Sequence, residues 1–135
     1  MNTEEKQDFI SDFIHAYNGF DIEAMLSMLH PEIEFKSVTD GEVKVYIQGK
    51  NEYRILAEQS RNLYSSRKQT VMEFHEKEDQ AFVEIFYTSV LAIDLSEEMK
   101  AGDTLNLRGL TEFVFRDEKI YRLTDIILGG IDWNY

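Results

Sequence analysis

Residues 81–93, AFVEIFYTSVLAI, constrain the fold more than any other stretch of this chain. With the two-residue period of a strand, Val83, Ile85, Tyr87, Leu91 and Ile93 fall on one face. Phe82, Phe86, Val90 and Ala92 fall on the other. A strand with one face in water alternates apolar with polar residues, so a strand that is apolar on both faces has to be covered on both. Helices can cover one side. The simplest cover for the other is a second copy of the chain.

At 135 residues the chain is long enough to bury a core as a single domain, expected to span 1–135, without covalent staples. It has no cysteine, which removes disulfides, thiolate nucleophiles and zinc-thiolate sites. No apolar run approaches the roughly 20 residues that cross a bilayer. The first residues, MNTEEKQD, are polar and acidic, unlike a signal peptide. A cytoplasmic protein with no membrane partner is the expectation. A net charge of -12 repels phosphate backbones and argues against nucleic acid. The acidic residues are spread along the chain, as expected for a solvated surface.

The first thirty residues read as two helices. Phe9, Ile10, Phe13, Ile14 and Tyr17 share one helical face, Thr3 with Glu4 and Glu5 offers a start, and Gly19 a stop. Asp21 can cap a short second helix that buries Ile22, Met25, Leu26 and Leu29 and ends before Pro31. Strands are predicted over 33–38 and 43–47, joined at Asp40-Gly41, and a third helix over about 51–66. Four further strands follow, over about 69–77, 80–94, 104–116 and 119–128, with a polar loop over 96–103. Glu78-Asp79 and Asp117-Glu118 read as tight hairpin connections. The order ααββαββββ is an α+β plan: a cone of long, strongly curved, mixed or antiparallel strands wrapped around three helices, whose interior is a ready pocket.

Three stretches carry a family likeness. FIHAYNGFD (13–21) ends a helix and restarts at an aspartate, LHPEIEF (29–35) leads into the first strand, and FRDEKIYRLTD (115–125) spans the last hairpin. In this order they resemble the nuclear transport factor 2-like superfamily, in particular its SnoaL-like branch, over nearly the whole chain. The resemblance implies a cone-shaped pocket fold that hosts isomerases, cyclases, dehydratases, epoxide hydrolases and non-catalytic binders. It also implies a catalytic aspartate on the final strand, at Asp125, as in SnoaL-like cyclases and limonene epoxide hydrolases. The epoxide hydrolases' Arg-x-Asp pair falls on Tyr87 and Ser89. The oxyanion tyrosine of ketosteroid isomerase falls on Phe13, and its general-base aspartate on Ser37, with Asp40 three residues later in an Asp-Gly turn.

The residues themselves suggest an acid/base site. If the last hairpin turns at Asp117-Glu118, Val114 stands opposite Tyr121, Glu112 opposite Leu123 and Leu110 opposite Asp125. One face then carries Arg108, Leu110, Glu112, Val114, Tyr121, Leu123, Asp125 and Ile127. Two carboxylates and an arginine on an apolar surface suit proton transfer next to a carbonyl, or form a structural ion pair. Asp125 and Glu112 are the catalytic candidates. Arg108, Tyr87, Tyr17, His75, Leu123 and Trp133 are candidates for binding substrate.

His75 shares a strand face with Val71 and Glu73, as a pocket base or as half of a surface pair. Tyr17, Tyr53, Tyr64 and Tyr87 offer hydroxyls to the pocket or to core hydrogen bonds. Trp133 and Tyr135 suit the pocket mouth or an interface. No spacing reads as a metal site, an activated serine or a phosphate loop, and no cofactor is called for.

The expected function is a small-molecule pocket, possessing cofactor-independent lyase, isomerase or cyclase chemistry on a small apolar ring compound. The alternative is a non-catalytic binding or interaction domain. A homodimer is expected through the sheet face bearing Leu105, Leu107, Phe113, Phe115 and Ile120, which together with Phe82 and Phe86 would make a large apolar patch.

Overall fold

The computed structural model describes residues 1–128 and has the expected element order. It runs α1 (Thr3–Asn18), α2 (Ile22–Ser27), β1 (Leu29–Thr39), β2 (Glu42–Gln48), α3 (Lys50–Arg61), β3 (Tyr64–Lys77), β4 (Gln80–Leu91), β5 (Thr104–Arg116) and β6 (Lys119–Ile127). Among the described residues, no helix is long and apolar enough to cross a membrane.

Local chemistry sets the helix ends. Asn2, one residue before the expected start, caps α1: its side chain accepts from Glu5 N at 2.8 Å, and Glu5 Oε1 accepts from Asn2 N at 3.0 Å. Asp21 caps α2 by accepting from Ala24 N at 3.1 Å. Gly49 turns the chain into α3 with φ 87°, a conformation that strains any residue with a Cβ.

The strands form one mixed sheet in the order β2-β1-β6-β5-β4-β3. β1 and β6 are parallel, and every other neighbouring pair is antiparallel. The inner face of β4 presents Ala81, Val83 and Ile85, and that of β5 presents Phe113 and Phe115, all buried. The apolar faces of the helices pack against this surface in a shared core. The Phe13 ring meets Phe113 edge-on at 6.2 Å, and Phe9 meets Phe115 at 5.7 Å. The outer face of β4 carries Phe82 and Phe86, which stay half-buried in the single chain.

The last hairpin turns where expected, with Arg116 opposite Lys119 and Phe115 opposite Ile120. A bulge then absorbs Tyr121, so that Val114 faces Arg122, Phe113 faces Leu123, Glu112 faces Thr124 and Thr111 faces Asp125. The sequence register lacks this extra residue and is therefore one step out along the rest of β6. Two consequences correct the expectations. Glu112 and Asp125 lie on opposite faces of the sheet. Leu105, Phe113, Phe115 and Ile120 are core residues, Phe113 with 1% exposure, so the face bearing them is covered by helices and is no dimer interface.

A second difference concerns α3, which stops at Arg61, with β3 beginning at Tyr64 instead of residue 69. Leu63 and Tyr64 fit the helical period, but Tyr64 is already paired with Leu91 across the sheet. Residues 65–68 consequently belong to a strand.

Candidate functional site

Between the helices and the inner sheet face lies a cavity of about 550 Å³. Phe13 and Tyr17 of α1, Met25 of α2, and Tyr53, Leu56 and Ser60 of α3 form one side. Phe35 and Ser37 of β1, Arg67 and Gln69 of β3, Thr111 and Phe113 of β5, and Leu123 and Asp125 of β6 form the other. Asp125 is the only carboxylate and Arg67 the only cation among the described residues that line it.

A chain of hydroxyls orients Asp125. Thr111 donates to Asp125 Oδ1 at 3.1 Å, and the Tyr87 hydroxyl lies 3.2 Å from Thr111 Oγ1. Gly109 makes room for Tyr87, because a Cβ there would lie 2.6 Å from its ring. Oδ2 of Asp125 has no hydrogen bond within the described residues. Burial pushes the Asp125 carboxyl up to about 6, and the Thr111 hydrogen bond offsets part of that rise. Burial pushes the Tyr17 phenol up to about 12, with Arg67 opposing and Asp125 adding to the shift. Tyr53 and Tyr87 are raised by burial first and by the Asp125 charge second. Three phenols stay neutral donors around one carboxylate that changes charge near neutral pH.

Arg67 is 6% exposed. Its Nε donates to the Tyr17 carbonyl at 2.8 Å, near the C-terminus of α1, and Nη1 to Ser60 Oγ at a long 3.4 Å. The guanidinium carbon sits 3.7 Å from the Tyr17 ring centroid and 4.4 Å from that of Phe20. Nη2 is buried with no hydrogen-bond partner among the described residues. Burial lowers its pKa, yet an arginine that starts at 12.5 remains charged.

The sequence candidates divide cleanly. Asp125, Leu123 and Tyr17 line the cavity, and Tyr87 reaches it through Thr111. Tyr53 and Tyr64 line it as well. Arg108 is exposed and pairs with Phe86 on the outer face, so it is no pocket residue. Glu112 pairs with Phe82 on the same outer face. His75 is also on that face, 3.1 Å from Glu73 and 3.7 Å from Glu84, in an exposed ion-pair cluster rather than as a pocket base. Strand alternation and the bulge account for all three. Asp40 is an exposed turn residue at φ 54°. Trp133 and Tyr135 lie outside the described residues. Arg67 and Thr111 were missed: the first lay between two predicted elements, and the second faced outward in the bulge-free register.

A second depression of about 570 Å³ lies at the tips of the β3–β4 and β5–β6 hairpins. Its rim residues Glu78, Asp79, Arg116, Asp117 and Glu118 are exposed, and it lies at the hairpin tips rather than between the helices and the sheet. The inner cavity is therefore the candidate site.

A helix-covered mixed sheet around a half-apolar cavity with one half-buried carboxylate in its described wall defines a nuclear transport factor 2-like pocket protein. Residues 10–123 match the SnoaL-like domain, and the chain belongs to that family. No curated protein is significantly similar to it in sequence. Among solved structures it is similar to a proposed polyketide cyclase of Xanthomonas campestris pv. campestris, at 19% identity over 93% of this chain and 92% of that one, with a TM-score of 0.79. It is similar to an NTF2-like protein of Anabaena variabilis, at 14% identity over 94% and 89%, TM-score 0.75. It is also similar to an LEH-like epoxide hydrolase of M. tuberculosis, at 12% identity over 93% and 84%, TM-score 0.74. These likenesses establish the fold.

Proposed function

We propose that the chain is a cofactor-independent isomerase, cyclase or lyase that moves a proton on a small, mostly apolar ring compound, with Asp125 as the acid/base. The observation that carries this reading is a carboxylate, the only one among the described residues that line the cavity, pushed up to about 6 and held by Thr111 beside apolar side chains. A base of that strength is ionised at pH 7 yet basic enough to take a proton from carbon next to a carbonyl. Oδ2, the oxygen that Thr111 leaves free, takes the proton. The C–H electron pair moves to the carbonyl oxygen, giving an enolate. A neutral phenol donates a hydrogen bond to that oxygen, with Tyr53 and Tyr17 in the cavity wall as the donors. The Asp125 carboxyl then returns the proton at the same or a neighbouring carbon. A cytoplasmic setting belongs to this reading, since cysteine is absent and the chemistry needs no metal or redox group.

Deuterium exchange into a ring ketone such as 2-tetralone tests it. Wild type is expected to accelerate exchange from D2O, and Asp125→Asn to lose on the order of 10²-fold or more. Equal exchange by both proteins removes Asp125 from the chemistry.

A second reading, a non-catalytic binder, has support of its own. By the family resemblance, the epoxide hydrolases' Arg-x-Asp pair would fall on Tyr87 and Ser89, and an oxyanion tyrosine on Phe13. It predicts ligand binding that is insensitive to Asp125→Asn, with no exchange.

A further inference from the structure

Among the described residues, Arg67 is a buried cation without an anion. No carboxylate among the described residues lies within ion-pair distance of it. Removing a guanidinium from water costs several kcal/mol unless charge and hydrogen bonds replace the lost hydration. The Tyr17 carbonyl and the Tyr17 and Phe20 rings replace part of it. They satisfy Nε and the flat faces. The outer edge is left over, with Nη1 on a 3.4 Å bond to Ser60 and Nη2 on none. That edge is the one on which a carboxylate makes two parallel N–H···O bonds. Ser60 and Arg67 both belong to the cavity wall, and Asp125 is not hydrogen-bonded to either.

We propose that the ligand of this cavity is an apolar ring compound bearing a carboxylate, and that Arg67 reads the carboxylate while the ring lies in the apolar part of the cavity. This rests on the proposed function for the role of Asp125, and it adds the substrate class: a ring carboxylic acid, rather than a neutral ketone alone. The cation explains how a chain of net charge -12 admits an anion at all. Long-range repulsion is screened over a distance on the order of 10 Å, whereas a contact sealed from water is little screened. Anchoring at Arg67 also fixes which ring carbon meets Asp125 Oδ2, which makes Arg67 a specificity-determining residue.

Titration calorimetry with 2-naphthoate and 2-naphthamide, probes of equal shape and different charge, tests the proposal on the full chain at pH 7. Wild type is expected to bind the carboxylate at least about tenfold more tightly than the amide, as a charged hydrogen-bonded contact implies. Arg67→Met is expected to weaken the carboxylate much more than the amide and so reduce the preference to about twofold or less. Equal or tighter binding of the amide by wild type overturns the proposal, as does a preference that survives in Arg67→Met, or no binding of either probe. The wild-type comparison stands even if Arg67→Met fails to fold. Asp125→Asn separates the two ideas: a carboxylate preference that persists there supports the Arg67 assignment even when exchange is absent in wild type. Exchange that depends on Asp125, without any carboxylate preference, retains the proposed function and removes this inference.

Discussion

Asp125 owes its properties to position more than to identity. The chain has 26 acidic residues, and among the described ones Asp125 is the one in the wall of the cavity. Its carboxyl rises from 3.8 to about 6 on folding, so between these two values the folded state binds a proton that the unfolded state has released. Stability therefore falls as pH rises through that window and stays lower above it. Asn at this position can still accept from Thr111 and carries no charge to desolvate. Asp125→Asn is expected to be more stable than wild type above pH 7, by about 3 kcal/mol at most, with the gap closing below pH 4. Urea denaturation of both proteins at pH 4 and pH 8 checks this; a gap that does not change with pH means the carboxylate is well hydrated. Asp125, Leu123 and Tyr17 were legible as inward-facing residues from the strand and helix periods, and for Asp125 the family likeness pointed the same way. Arg67 was not, since a lone arginine near an element boundary gives no periodic signal and its meaning lies in what fails to surround it.

At the scale of elements, the period of hydrophobic residues gave the helices and strands, because one face of each must be buried. Glu112 shows what such patterns leave out. Its hairpin was correctly closed at Asp117-Glu118, yet one bulged residue, Tyr121, decided which face the carboxylate took. A bulge costs the chain one unpaired residue and leaves the composition of the strand untouched, so nothing in the pattern marks it. Here it lets both Ile120 and Leu123 enter the core, where they are 0% and 3% exposed. Deleting Tyr121 would give a regular ladder with Arg122 still opposite Val114, which leaves Leu123 and Asp125 facing inward. The shortened protein is expected to keep the Asp125 pKa near 6, as followed by carboxyl NMR titration. A return to the usual aspartate range would mean that the strand had slipped and turned the carboxylate out.

The whole molecule has one well-covered side and one that is only partly covered. The inner face of the sheet lies under three helices. Phe82, Phe86, Leu110, Val114 and Ile126 on the outer face remain half-buried, as the two-sided apolar strand foreshadowed. A twofold assembly through this outer face is the form we propose, replacing the one drawn on Phe113 and Phe115. Light scattering at micromolar concentration is expected to give the mass of two chains for wild type and of one chain for Phe86→Glu. A single-chain mass for wild type rejects the assembly.

The strand order has a further consequence, for the growing chain. β6, later in sequence than the other five described strands, sits in the middle of the sheet between β1 and β5. A ribosome thus delivers the keystone after the strands on both sides of it. Until it arrives, β2-β1 and β5-β4-β3 are two fragments with bare inner edges, open to pairing with the wrong chain. Because β6 carries both the closing hydrogen bonds and Asp125, the protein acquires its candidate chemistry and its complete sheet in the same event.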